Sequence, residues 1–331
     1  MTDGIHSKLS TTSSNTTQTA VASPETPIVM QQVSKWYGPV IGLNEVSLRV
    51  ERGIVGLLGP NGAGKSTLMK LLTGQLRPNL GTIQIFGASV RSVAARRKLG
   101  YAPDVDAYYE EMTGKQFVEV MLRLAGYSAS QSRQLCASAL EIVGMSGDRA
   151  HKVLRGCSKG MRQRIKLAQA IAHGPQLLIL DEPLSGLDPV GRRELCQLFN
   201  ELARQGKTLL VSSHVLEEIE QITDSVILVG GGRVLSQGNW GEVSSFLNDL
   251  PQQIRLSSDR MREFAGQLLQ WPGVIEVHFR GDQQCVLTTR DPGGLCQEVG
   301  RLVRQHGYRL NLLQSEAGWA DALFQLAESR S

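Results

Sequence analysis

The sequence predicts a mixed α/β domain followed by a small α+β domain, and three observations support this fold class. Over residues 28–238, short β-rich runs alternate with amphipathic helical segments, the pattern of a mostly parallel sheet flanked by helices. Two glycine-bounded runs within this region, Ile83–Phe86 and Val234–Gln237, suit antiparallel strands. After Gly238 the order becomes strand, helix, strand, strand, helix, strand, which is the ferredoxin-like order.

The first domain owes its predicted core to four short apolar runs and one amphipathic helix. The clearest strand candidates are Ile54–Leu58, Leu177–Leu180, Thr208–Ser212 and Val226–Val229. In the helix candidate Arg192–Arg204, the large apolar side chains recur on one face. Such a stripe packs against a sheet.

The second domain follows a boundary that we place inside Asn239–Pro251. Its strand candidates are Gln253–Ser257, Val274–Arg280, Gln284–Arg290 and Arg309–Leu313, and its helix candidates are Arg260–Gln270, Gly294–His306 and Trp319–Ala327. The predicted organisation is a disordered Ser/Thr-rich tail over residues 1–27, a larger domain over 28–240 and a small accessory domain over 252–331.

Composition excludes several classes of function. The chain has 331 residues, enough for about two domains at roughly 150 residues each. Its net charge of +4 is spread along the sequence without dense Lys/Arg runs, so we expect no nucleic-acid partner. The five cysteines show no CxxC spacing that would indicate zinc. The apolar runs fall far short of the ~20 residues that cross a bilayer.

A glycine-rich run between a strand and a helix predicts phosphate binding. It follows Ile54–Leu58 and comprises Gly59, Pro60, Asn61, Gly62, Ala63, Gly64, Lys65, Ser66 and Thr67. The glycines let backbone N–H groups approach phosphates, and the following helix N-terminus favours an anion. Lys65 should reach the β- and γ-phosphates, and Ser66 should supply its hydroxyl to Mg²⁺. The run therefore predicts binding of ATP or a closely similar nucleotide.

Two carboxylates stand where the buried run Leu177–Leu180 ends. Asp181, at the carboxyl end of a strand beside the phosphate loop, suits Mg²⁺ or its water shell. Glu182 is placed to act as general base on the attacking water. A solvated strand end would explain an isolated Asp-Glu pair, but not its coincidence with a phosphate loop.

Further motifs resemble those of the ABC-type ATPases over residues 28–240. Cys157-Ser158-Lys159-Gly160-Met161 is similar to the signature motif, and Ser185-Gly186-Leu187-Asp188 to the D-loop. His214 resembles the switch histidine, and Tyr37 the aromatic residue that stacks on adenine. The resemblance implies a phosphate-loop NTPase with a mixed sheet core, an antiparallel β subdomain and a helical subdomain over about residues 105–165.

The resemblance also implies a head-to-tail pair of nucleotide-binding domains that clamps two ATP molecules. Ser158 and the backbone around Gly160 would contact the γ-phosphate held by the other domain. His214 would act together with Glu182, and Asp188 would lie at the interface. The second domain would come from another copy of the chain or from a paralogue.

Two motifs depart from the common family pattern. The signature reads CSKGM where LSGGQ is commonest, although Ser158 and Gly160 remain. Asp104 stands where the family usually has Gln, a residue that contacts Mg²⁺ and water. Asp104 could still bind a Mg²⁺-held water, which leaves its catalytic role open.

The combination of one ATPase domain, SKGM and a small C-terminal extension resembles the ATP-binding subunits of ABC-2-type exporters. That resemblance implies a separate transmembrane permease subunit and a peripheral position on the cytoplasmic face of the membrane. A soluble ABC ATPase acting on ribosomes or DNA is less favoured, because the sequence shows neither a second ATPase domain nor the coiled coils or zinc inserts of such relatives. A slowly hydrolysing regulatory protein is kept open by Asp104, although Glu182 and His214 weigh against it. The extension either binds a regulator or simply stabilises the ATPase domain.

Overall fold

The computed structural model describes residues 26–105, 109–248 and 251–315. In chain order its strands are β1 (Ile28–Tyr37), β2 (Val40–Val50), β3 (Ile54–Leu58), β4 (Leu80–Ile85), β5 (Ala88–Ser89), β6 (Leu99–Ala102), β7 (Leu177–Leu180), β8 (Thr208–Ser213), β9 (Ser225–Gly230), β10 (Arg233–Asn239), β11 (Gln252–Ser258), β12 (Val274–Phe279), β13 (Gln284–Thr289) and β14 (Leu310–Ser315).

The helices alternate with these strands through most of the chain. They are α1 (Lys65–Leu72), α2 (Val93–Arg97), α3 (Gly114–Leu124), α4 (Ala129–Ile142), α5 (Asp148–His151), α6 (Lys159–Ile171), α7 (Pro189–Arg204), α8 (Leu216–Glu220), α9 (Trp240–Asn248), α10 (Met261–Leu268) and α11 (Pro292–His306). Among the described residues, every helix is too short or too polar to cross a membrane.

The largest sheet has the order β10-β9-β3-β8-β7-β6. Its strands are parallel except β10, which pairs antiparallel with β9. A second sheet, of order β2-β1-β4-β5, is antiparallel. The predicted mixed α/β fold is thus confirmed, including the antiparallel pairing expected for Ile83–Phe86 and Val234–Gln237.

Strand β7 is apolar throughout because both faces of the sheet are covered. Leu178 and Leu180 join a core formed with helices α3, α4, α6 and α7. Leu177 and Ile179 point to the other side, into a core shared with α1 and the antiparallel sheet. The buried strand therefore ends abruptly at its polar carboxyl edge, where the carboxylates predicted for the site begin.

The predicted helical subdomain corresponds to helices α3 to α6. Capping boxes fix the first residues of two of them: Thr113 pairs with Gln116 at α3, and Ser128 with Gln131 at α4. In each box the side-chain oxygen accepts a backbone N–H that the helix leaves unpaired. The first residues of these two helices can thus be recognised from the local sequence.

The C-terminal part forms a four-stranded antiparallel sheet of order β12-β13-β11-β14. Helices α10 and α11 pack against it in a core that contains Phe264 and Leu256. This is the ferredoxin-like order expected from the sequence. The predicted helix Trp319–Ala327 lies outside the described residues, as does the tail up to residue 25.

The predicted domain boundary stays a prediction, and the structure adds a helix to that stretch. Helix α9 occupies most of Asn239–Pro251, and its Val243 is fully buried in the larger core. Its start is held by Asn239 and Glu242, whose side chains each accept the other's backbone N–H. Residues up to 246 therefore pack with the larger domain.

Candidate nucleotide-binding and hydrolysis site

The phosphate loop connects β3 to α1, and its lysine lies across it. Lys65 Nζ donates to Gly59 O at 2.6 Å and to Pro60 O at 3.3 Å. The loop closes on itself through Ala63 N, which donates to Pro60 O. The lysine is buried, so its charge is directed into the loop's concave side instead of into solvent. The loop is therefore shaped and charged for an anion.

Two loop glycines are required by geometry. Gly64 has a φ of +106° and directly precedes α1, a conformation that other residues rarely adopt. A Cβ on Gly59 would lie 2.4 Å from Val229 O, in the neighbouring strand β9. At Gly64, only glycine readily adopts the observed φ angle. At Gly59, only glycine leaves room for the carbonyl oxygen of Val229.

Ser212 organises both acidic residues, a role that no sequence motif indicates. Its Oγ donates to Asp181 Oδ1 at 2.8 Å and accepts from Glu182 N at 2.9 Å. Ser212 is fully buried near the end of β8, next to the strand that carries the acidic pair. Only the strand order of the sheet places a serine from residue 212 against residues 181 and 182.

Glu182 is held between two basic side chains. Its Oε1 lies 3.5 Å from Lys65 Nζ, and its Oε2 lies 2.9 Å from His214 Nδ1. Its backbone has a φ of +48°, a strained conformation for a residue other than glycine. The Glu182 side chain is 11% exposed and that of His214 is 44% exposed. A strained, nearly buried carboxylate beside a histidine is suited to act as a base.

A cavity of about 300 Å³ lies between the phosphate loop and the acidic pair Asp181 and Glu182. Most of the residues predicted to bind nucleotide line this cavity, and three residues that were not predicted, Val40, Ile41 and Gly42, line it as well. The predicted residues in the lining are Tyr37, Pro60, Asn61, Gly62, Gly64, Lys65, Ser66, Thr67, Asp104, Asp181 and Glu182. The aromatic ring of Tyr37 packs against Gly42, and its Oη lies 3.4 Å from Thr67 Oγ1. An exposed ring thus borders the phosphate loop, as an adenine platform requires.

Burial and neighbouring charges alter the titration of two groups here. Burial raises the pKa of Asp181; the Ser212 hydrogen bond opposes this, and nearby Asp104 and Glu182 add to it. Burial also raises the pKa of Tyr101 to about 12, with the Asp181 and Asp104 charges contributing. The carboxylates therefore form a local concentration of negative charge that a cation would relieve.

The oxygen donors at this edge fit Mg²⁺. Ser66, Asp104 and Asp181 all line the cavity, and hydroxyl and carboxylate oxygens are the ligands this ion prefers. The loop that carries Asp104 is anchored from α6, because Lys166 Nζ donates to Asp104 O at 2.9 Å. Asp104, which is shorter than the usual Gln and anionic, therefore lines the same cavity as the phosphate loop.

Ser158, Gly160 and Asp188, three of the predicted site residues, lie at the starts of two helices and not in the cavity lining. Ser158 Oγ accepts from Met161 N at 3.3 Å and caps α6. Asp188 Oδ1 accepts from Gly191 N at 2.8 Å and caps α7. Neither residue, nor Gly160 in the first turn of α6, lines the cavity of its own chain. Their helix N-termini remain available to another surface.

A phosphate loop between strand and helix, with acidic residues at the end of a second parallel strand of the same sheet, defines a phosphate-loop nucleotide-binding protein. Residues 43–185 match the family model described as ABC transporter. The chain is 36% identical to YxlF of Bacillus subtilis, an uncharacterized ABC transporter ATP-binding protein, over 79% of this chain and 86% of that one. It belongs to the ABC transporter ATP-binding proteins, and the ATPase identity expected from its motifs is confirmed.

Two further relatives are named for resistance or transport. The daunorubicin/doxorubicin resistance ATP-binding protein DrrA of Streptomyces peucetius is 33% identical, over 86% of this chain and 87% of that one. The bacitracin transport ATP-binding protein BcrA of Enterococcus faecalis is 37% identical, over 65% of this chain and 70% of that one. Their similarity supports the predicted resemblance to exporter subunits.

Solved structures show the same fold. An ATP-binding subunit of an ABC transporter is 30% identical with a TM-score of 0.60, covering 67% of this chain and 93% of that one. The dimeric cassette MJ0796 has a TM-score of 0.59 at 23% identity, over 64% of this chain and 98% of that one. The ATPase fold therefore spans about two thirds of the chain.

Proposed function

We propose that this chain powers an ABC-2-type exporter as one half of an ATP-clamped dimer. The observation that carries the proposal is the division of the site residues. Lys65, Asp181 and Glu182 share one cavity, whereas Ser158 and Asp188 start helices elsewhere on the chain. A second copy, placed head to tail, would supply those helix starts to the cavity. The dimer described for MJ0796 is a precedent in that protein.

In this proposal each side chain has a distinct task. Lys65 and the loop N–H groups bind the phosphates, and Tyr37 stacks on the adenine. Glu182 orients the attacking water and accepts its proton, while His214 holds the Glu182 carboxylate and contacts the γ-phosphate. The N-terminus of α6, with Ser158 and Gly160, would stabilise the charge on the γ-phosphate of the facing site. Ser66 and Asp181 would hold Mg²⁺, which neutralises phosphate charge.

A groove of about 820 Å³ supports docking of a separate membrane subunit. It lies between α2 and the end of α3 and is lined by apolar side chains such as Met121 and Tyr127 and by the basic Arg96 and Arg97. Leu124, in the same lining, is 75% exposed. A cytoplasmic segment of the permease would cover these apolar groups and keep the chain on the cytoplasmic face of the membrane.

Trapping tests the dimer. Purified Glu182→Gln should bind ATP without hydrolysing it and elute as a dimer on size exclusion with ATP, but as a monomer with ADP. A Lys65→Ala/Glu182→Gln chain should remain monomeric in both. Persistent monomer in the presence of bound ATP would overturn self-association.

Complementation tests the shared site. Lys65→Ala and Gly160→Asp should each be nearly inactive alone, because each removes one half of every site. A mixture should regain activity, since some mixed dimers contain one intact site. If the mixture stays as inactive as its components, the two motifs do not act between chains.

The membrane partner is tested separately. Leu124→Asp should abolish co-purification with the permease yet leave the basal ATPase rate intact, whereas Ile142→Asp, at an exposed apolar residue outside this lining, should affect neither.

A slowly hydrolysing regulatory protein is the second candidate function, favoured by Asp104 in the cavity. A large rise in turnover for Asp104→Gln would support it.

A further inference from the structure

Glu218 is a buried acidic residue without a role in the site described above. It lies in α8, just after His214, and is 4% exposed. Burying a carboxylate is costly unless charged and hydrogen-bonding partners compensate it. Both kinds of partner are present: a serine in the turn that contains His214 and an arginine in α7.

The first partner shapes the turn that carries the catalytic histidine. Ser213 Oγ donates to Glu218 Oε2 at 2.7 Å and accepts from Val215 N at 2.9 Å. Ser213 and Val215 are the two chain neighbours of His214. The carboxylate therefore fixes the backbone on both sides of the histidine, whose ring contacts Glu182.

The second partner connects this turn to α7. Arg192 Nη2 lies 3.3 Å from Glu218 Oε1. Arg192 is in the first turn of α7, and its backbone N–H donates to Asp188 O. Asp188 caps this helix and is predicted to lie at the dimer interface. A displacement of the start of α7 would therefore pull on Glu218.

Helix α8 is also fixed against the strand that leads into the phosphate loop. Ile219 packs so closely on Gly56 of β3 that a Cβ there would lie 2.2 Å from its Cγ2. With one side held against β3, α8 has little freedom to move except with its neighbours. Glu218 thus links the start of α7 to the turn that contains His214.

We propose that Glu218 is a positioning residue for His214, and that Arg192 makes this position depend on the start of α7. This inference rests on the proposed function, in which His214 contacts the γ-phosphate and Asp188 the second subunit. Closure of the dimer would move the start of α7, and the Arg192–Glu218 pair would transmit the movement to the Ser213–Val215 turn. Hydrolysis would then reach its full rate only in the assembled dimer.

The first experiment separates turnover from binding. Glu218→Gln keeps the acceptor for Ser213 but removes the charge that holds Arg192. We expect kcat to fall between about ten- and a hundredfold, the cost of slightly misplacing a catalytic group, with the KM for ATP nearly unchanged. Glu194→Gln is the matched control, because Glu194 lies on α7 two residues after Arg192 and pairs with Arg164 outside this network. It should retain wild-type kcat.

A second set of variants guards against simple destabilisation. Arg192→Met/Glu218→Gln leaves no unpaired buried charge, so its melting temperature should be close to that of wild type. Its kcat should remain as low as that of Glu218→Gln. Arg192→Lys keeps the charge and should retain most of the turnover, unlike Arg192→Met. The ring resonances of His214, assigned with His214→Ala, should shift in Glu218→Gln but not in Glu194→Gln.

The possible failures are distinguishable. If the neutral double variant recovers both stability and kcat, or if Arg192→Lys is as inactive as Arg192→Met, the positioning role is wrong. Unchanged kcat in Glu218→Gln would overturn it as well. If His214→Ala itself hydrolyses ATP at the wild-type rate, the assignment of His214 in the proposed function fails instead.

Discussion

The carboxylate of Glu182 and the ring of His214 meet across two neighbouring strands, with Oε2 and Nδ1 2.9 Å apart. The residues are 32 positions apart in the sequence. They meet because β7 and β8 are parallel neighbours and both residues follow the carboxyl ends of these strands. Loops from such ends converge at one edge of the sheet, where α/β proteins bind their ligands.

Replacing Glu182 with Gln should stop hydrolysis without preventing nucleotide binding. The amide cannot accept the proton of water, so we expect kcat to fall at least about a hundredfold, the usual contribution of a general base. Phosphate release and a direct ATP titration measure the two quantities. Glu220→Gln, at an exposed position of α8, should change neither. Native turnover in Glu182→Gln would falsify the general-base assignment.

Replacing Lys65 with Ala should weaken ATP binding itself. Its ammonium group is buried against the loop carbonyls, and a charged hydrogen bond to phosphate contributes about 2 kcal/mol, or on the order of thirtyfold in Kd. Equilibrium titration with a fluorescent ATP analogue measures the loss. Lys70→Ala, on the exposed face of the same helix, is the control and should bind normally. Equal affinities for the two variants would contradict the phosphate-loop role.

Replacing Ser212 with Ala should shift the acid limb of activity to higher pH. The Ser212 hydrogen bond lowers the pKa of Asp181 and opposes burial, so its loss raises that pKa further. Protonated Asp181 is a poor ligand for Mg²⁺, and activity should therefore be lost at a higher pH than in wild type. A pH profile of kcat at saturating Mg²⁺ measures this shift.

The control for this change is Ser132→Ala, at a buried serine in α4 far from the acidic pair in sequence. It should leave the pH profile unchanged. Ser212→Ala should also unfold more easily, by about 1–3 kcal/mol, because Glu182 N loses its acceptor. An acid limb identical to that of wild type would argue against the ionised form of Asp181 as the active one.

Replacing Gly59 with Ala should destabilise the fold as well as the site. The added Cβ would collide with Val229 O, and relieving such a clash costs about 1–3 kcal/mol. Gly62→Ala is the matched control: it lies in the same loop at a φ of +83°, and no other group would contact its Cβ within 4 Å. Its cost should be limited to about 1–2 kcal/mol of backbone strain. Urea unfolding compares the two, and a smaller loss for Gly59→Ala would contradict the packing argument.

Much of the fold was readable because its signals are local. The conformations of the apolar run Leu177–Leu180 and of the glycine-rich loop Gly59–Thr67 are each indicated by residue type and spacing. Capping residues such as Thr113 and Ser128 mark helix starts in the same way. The boundary stretch Asn239–Pro251 was harder to interpret, because α9 is short and its burial depends on a core formed by distant residues.

The sequence by itself determined the nucleotide-binding class and the order of the two folds. It also predicted Lys65, Asp181 and Glu182 as site residues, since each belongs to a continuous motif. Only the tertiary structure revealed Ser212 between the two carboxylates and Glu218 beneath the histidine turn. Isolated serine and glutamate residues carry no local signature. Their partners are set by which strands lie side by side, and that order is decided by the packing of the whole sheet.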